Sequence, residues 1–76
     1  MRRSEFNLAM ATEFGPAYAA VVQADLVLTA LGNRTAAQAL ADGVQPREVW
    51  LAICAETDVP RERWYGVGLP KPASAS

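Results

Sequence analysis

Two groups of side chains in this sequence have the types and spacing to do something chemically specific. Arg34 and Thr35 stand at the start of one short helical pattern, and Gln45 and Arg47 open the next. In a helix-turn-helix, the start and outer face of the second helix read base edges in the major groove. An arginine there suits a guanine edge and a glutamine an adenine edge. Arg34, with the helix start at Thr35, would hold one phosphate. The second group is apolar. Leu51 points away from the packed side of its helix, and Trp64 and Tyr65 follow two arginines near the end of the chain, where they are expected to cover the open end of the bundle, with an exposed binding anchor as the alternative. Aromatic and arginine side chains are enriched among the residues that anchor protein–protein contacts.

Most other chemistry is excluded by inventory. With no histidine, the Ser-His and Cys-His arrangements that activate a nucleophile cannot form, and the commonest metal ligand is missing. A single cysteine, Cys54, allows no intrachain disulfide. It lies within an apolar helical pattern with no base at helical spacing, so a buried, inert thiol is expected. The Gly-Val-Gly at 66–68 leads into Pro70 and does not resemble a strand-to-helix phosphate cradle. The acids are scattered over helical positions rather than paired. The reading is a non-enzymatic protein with no cofactor and no metal.

Four helices must position these groups. Ser4 is the expected cap of the first, in which Phe6, Met10 and Phe14 recur on one face at four-residue spacing. Gly15 ends it and Pro16 opens the second, the usual stop-and-start pair. The second is predicted over residues 16–31. Val21, Val27, Leu28 and Leu31 share one side of its helical wheel, and Tyr18, Val22 and Leu26 another. A helix so apolar on all sides is expected at the centre of the fold, covered by its neighbours or by a partner. Asp25 on that helix is expected to be hydrogen-bonded, paired with Arg34 or Arg47 or capping a neighbouring helix end, with an acid on a binding face as the alternative. Gly32 and Asn33 close the helix.

The third helix starts at Thr35, with Gln38 completing a capping box, and Gly43 terminates it. Pro46 opens the fourth, which runs to about Thr57 and gathers Val49, Trp50, Ile53 and Cys54 on one side. A further turn follows in Pro-Arg-Glu-Arg-Trp-Tyr. Ala39, Gly43, Val44 and Val49 occupy the four places that a helix-turn-helix needs for close crossing, a left-handed turn and a buried second helix. Glu48 and Leu51 weaken the DNA reading, because the first repels phosphate and the second offers nothing polar.

The 76 residues suffice for one small domain, and 51% hydrophobic against 20% charged residues is a globular balance. The net charge of −1 is a poor electrostatic footprint for a nucleic-acid binder. No stretch is apolar enough for a membrane span or a signal peptide, so a cytoplasmic protein is expected.

The segments MRRSEF, EFGPAYA, DLVLTALGNRTAAQALADGVQPREVW and CAETDVPRERW resemble a family of small actinobacterial proteins known as a domain of unknown function. The likeness covers residues 1–64, with its strongest portion from Gly32 to Trp50. The family's genes often lie near the recombinase gene recA, so the resemblance implies a link to DNA recombination or repair, through DNA or through a DNA-processing partner. It supplies no catalytic or binding residues. Leu51 stands where relatives are expected to carry a basic residue.

The sequence thus predicts an all-α fold. A single four-helix domain spans residues 1–65, with helices three and four crossed like a helix-turn-helix, and 66–76 form a disordered tail. The expected function is a protein-interaction or regulatory module acting through Leu51, Trp64 and Tyr65. The alternative is a weak helix-turn-helix DNA binder using Arg34, Thr35, Gln45 and Arg47.

Overall fold

The computed structural model describes residues 1–65; the tail expected at 66–76 lies outside the described residues. Helix α1 spans Arg3–Phe14, α2 Pro16–Asp25, α3 Ala36–Ala41 and α4 Pro46–Glu56. Between α2 and α3 runs a small antiparallel hairpin, β1 (Val27–Leu28) and β2 (Arg34–Thr35), joined through a 3-10 turn at Thr29–Leu31. A second 3-10 turn, Arg61–Arg63, follows α4. The fold is therefore mainly helical rather than all-α.

The punctuation residues act as their chemistry dictates. Gly15, at φ +82°, divides α1 from α2, and Pro16 takes the first position of α2, where its missing N–H costs nothing. The Thr35 hydroxyl accepts from the Gln38 N–H at 3.2 Å while the Gln38 side chain accepts from the Thr35 N–H at 2.9 Å, a complete capping box. At the start of α1 the cap is not Ser4. The helix begins at Arg3, two residues earlier than a Ser4 cap implies, and the Glu5 carboxylate accepts from the Arg2 backbone N–H at 2.6 Å.

The second helix is shorter than its apolar pattern suggests, and it is not the centre of the fold. It stops at Asp25, and Leu26 turns the chain into extended conformation. Val27 then faces solvent and Leu28 the core, the two-residue alternation of a strand. Val27 pairs with Thr35 and Leu28 with Arg34. Gly32 and Asn33, at φ +71° and +60°, reverse the chain between the strands. The hairpin wins because it buries Leu28 and delivers Thr35 to cap α3, whereas a continued helix would have to cover several more apolar side chains.

The core is instead built around α4. Val49, Trp50, Ile53 and Cys54 are buried on one face against Phe6, Ala9 and Met10 of α1, Ala19 and Val22 of α2, Leu28 of β1, and Ala36 and Ala39 of α3. The turn into α4 has Gly43 at φ +93°, and the Val44 N–H donates to the Ala39 carbonyl at 2.9 Å. Ala39 and Val49 on either side of that turn are fully buried, which lets α3 and α4 pack closely. Of the core positions expected from periodicity, Phe6, Met10, Val49, Trp50, Ile53 and Cys54 all occupy it.

Candidate interaction surface

The nucleic-acid candidates are divided by the fold. Arg34 is engaged internally: its Nε donates to the Leu31 carbonyl at 2.8 Å, and Nη1 donates to Asp42 at 3.0 Å. The acid paired with Arg34 is therefore Asp42 and not Asp25. Asp25 is exposed, with no hydrogen-bond partner among the described residues, so its expected pairing with Arg34 or Arg47 is overturned. The reason is the early end of α2, which leaves Asp25 at the helix terminus rather than inside a covered helix. Thr35 is occupied as the cap of α3. Gln45 and Arg47 are exposed at the start of α4.

Leu51, Trp64 and Tyr65 are half-buried, and the first two pack against the core. Trp64 closes the open end of the bundle. Its indole N–H donates to the Val59 carbonyl at 2.6 Å, and its own carbonyl accepts from the Trp50 indole at 2.7 Å. The Arg61 guanidinium lies 4.7 Å from the centre of the Trp64 ring, a cation–π contact. Arg63 holds Glu13 with two hydrogen bonds of 3.0 Å, tying this turn to the end of α1. The exposed part of Trp64 is what remains for any partner.

The apolar side chains left most accessible are others: Leu8 at 58%, Tyr18 at 59%, and Val21 and Val27 at 50% each. Tyr18 is steadied by the Phe14 ring, 6.0 Å away at an angle of 63°. Tyr18, Val21, Val22, Asp25 and Leu26 fall at the spacing of a single helix face, and with Thr57 they line an open groove of about 280 Å³. Val22 forms its buried floor and Leu26 is half-buried beside it. The apolar wheel positions Tyr18, Val22 and Leu26 signalled this face in the sequence. What the sequence hid is that the other described residues leave the face open.

Cys54 is fully buried, and its thiol is pushed up from 9.0 to about 12 by burial, with the Glu13 carboxylate adding to the shift. It is a core side chain with the inert character expected of it. Among the described residues no cluster of three potential metal ligands occurs, and no helix is long and apolar enough to cross a membrane.

This small helical domain with its open apolar face belongs to a recognised family: residues 1–62 match the one described as "Protein of unknown function (DUF3046)", and the chain is a member of it. A relative in Mycobacterium tuberculosis, named "Putative envelope-preserving system protein Rv2742c", is 54% identical over 37 residues. That match covers 49% of this chain and only 13% of the relative's length. No solved structure matches the chain.

Proposed function

We propose that this protein is a non-enzymatic interaction module that docks a partner protein on the α2 face formed by Tyr18, Val21, Val22 and Leu26. The observation that carries the reading is the half-exposure of Tyr18 and Val21 beside an apolar-floored groove, in a domain too small to leave such surface without cost. A second support is the relative. A stretch of 37 residues, half of this chain, recurs at 54% identity within a much longer protein, which supports a sequence that works beside other protein parts. The envelope-preserving role in that relative's name is a candidate setting for the partner. Leu51 and the outer part of Trp64 would extend the contact only if a partner also reached α4 and the closing turn.

The test is a comparison of the tagged wild-type chain with Val21→Asp for partner recovery from native cells. Val21 is exposed, so the variant should keep its far-ultraviolet helical signal. The expected result is loss of a specific partner from the variant. Identical recovery by both proteins would overturn the assignment of the α2 face.

The second reading is helix-turn-helix DNA binding through α3 and α4, with the recombination link implied by the resemblance. The left-handed turn at Gly43 and the exposed Gln45 and Arg47 favour it. The engagement of Arg34 by Asp42, and the net charge of −1, weigh against it. Phosphate-driven binding must weaken steeply with salt. A duplex titration showing no binding at low salt would end this reading.

A further inference from the structure

The groove on α2 has an end as well as a floor, and the end is electrostatically one-sided. Asp25 is the last residue of α2, and Thr57, the C-cap of α4, lines the same groove. The C-terminal ends of two helices therefore meet here. Each presents the negative pole of a helix dipole, where cationic side chains are ordinarily favoured. Neither helix has a basic residue in its last turn. Both carry acids instead: Asp25 on α2, and Glu56 and Asp58 on either side of Thr57, all exposed. Asp58 holds a left-handed conformation at φ +57°, and the Glu56 carboxylate accepts from the Thr29 hydroxyl at 3.5 Å. The nearest arginines in sequence are engaged elsewhere, Arg61 over the Trp64 ring and Arg63 on Glu13.

Of these acids Asp25 lines the groove, and Glu56 and Asp58 flank its lining residue Thr57, so the end of the groove is acidic where the helix dipoles are already negative. Resting on the docking reading above, we propose that the occupant of the groove is a partner segment with apolar anchors and an adjacent lysine or arginine. The anchors lie over Val22 and Leu26 between Tyr18 and Val21. The cation sits at the groove's end, facing Asp25 and the α4 terminus. Charge complementarity of this kind selects the partner and sets its direction along α2.

The probes are synthetic amphipathic peptides with leucines on one helical face, flanked by lysine, glutamine or glutamate. Amide chemical shifts of the labelled full chain report where each binds. The lysine peptide is expected to perturb Val21–Thr29 and Glu56–Asp58 and to bind at least about tenfold tighter than the glutamate peptide at low salt, the gap narrowing as salt is added. The combined variant Asp25→Asn, Glu56→Gln, Asp58→Asn should erase the lysine preference, because these side chains are exposed and their loss leaves the core intact. Equal affinity for all three peptides at the groove, or a lysine preference that survives the variant, overturns the cation site while leaving the docking face in place. Failure of the lysine peptide to perturb the groove also overturns it. The docking face itself stands or falls on Val21→Asp.

Discussion

The Trp50 indole donates its N–H to the backbone carbonyl of Trp64 at 2.7 Å, and the Trp64 indole returns the chain to Val59 at 2.6 Å. Two tryptophans thus clamp the segment after α4 over the buried end of the helix that organises the core. Trp64 is held by its N–H, its carbonyl and a cation over its ring.

Removing either half of this clamp should destabilise the domain. Trp50→Phe keeps most of the packing but leaves the Trp64 carbonyl without its donor, a cost of about 1–2 kcal/mol. Trp64→Ala removes the cover itself and should cost about 2–4 kcal/mol. A small unstapled domain holds only about 3–5 kcal/mol in total, so Trp64→Ala should be partly unfolded in water. Urea titration followed by circular dichroism measures both. A Trp64→Ala chain with an unchanged midpoint would show that the tryptophan is not a structural lid.

Much of this fold was legible because single residues act locally. Gly15, Pro16, Gly43 and Pro46 mark their boundaries whatever the tertiary context, and the Thr35–Gln38 box needs only its own helix. The core face of α4 followed from spacing alone. The hairpin did not, because Leu26–Leu31 is apolar in either period and the choice depends on distant partners. The signal present in the sequence was the Gly32–Asn33 pair, which commonly reverses strands; the outward Val27 and inward Leu28 show only once the fold is formed. The misplacement of Asp25 followed from that same error. The site was legible only as an apolar stripe, since exposure depends on which neighbours fail to cover it.

Arg34 joins the hairpin to α3 through Leu31 and Asp42. The ion pair is exposed and contributes little, whereas the Nε hydrogen bond to a part-buried carbonyl contributes more. Arg34→Ala should cost about 1 kcal/mol and speed amide exchange at Gly32 and Asn33 without altering the helices. Native-state hydrogen exchange checks this, and unchanged protection in the hairpin would refute it.

The acids at the helix ends carry a stability cost if they serve binding. Asp25→Lys reverses the charge against the α2 dipole and should stabilise the free domain by about 0.3–1 kcal/mol. Thermal melts at low salt measure the gain, which should shrink as salt is added. A destabilised Asp25→Lys chain would mean that the carboxylate has a structural partner.

Cys54 gives a pH dependence with a defined sign. Its folded thiol titrates near 12 against an ordinary 9.0, so both states are protonated below about pH 9 and the folded state keeps its full advantage there. Above that, the unfolded chain loses the proton first. Stability therefore falls as pH rises from about 9 towards 12, by up to about 1.4 kcal/mol per pH unit from this group. Cys54→Ala removes this contribution, so its alkaline slope in urea titrations should be shallower than that of the wild type. Parallel slopes would contradict the burial of the thiol.

If the α2 face meets another protein, a photo-activated cross-linker at position 21 will trap that protein. A control chain carries the same group at Ala37, exposed on α3. Irradiation in native cells should give a discrete heteromeric adduct from position 21 and none from position 37. Matching adduct patterns from the two positions, or no adduct to another protein from position 21, would mean that the α2 face docks no partner.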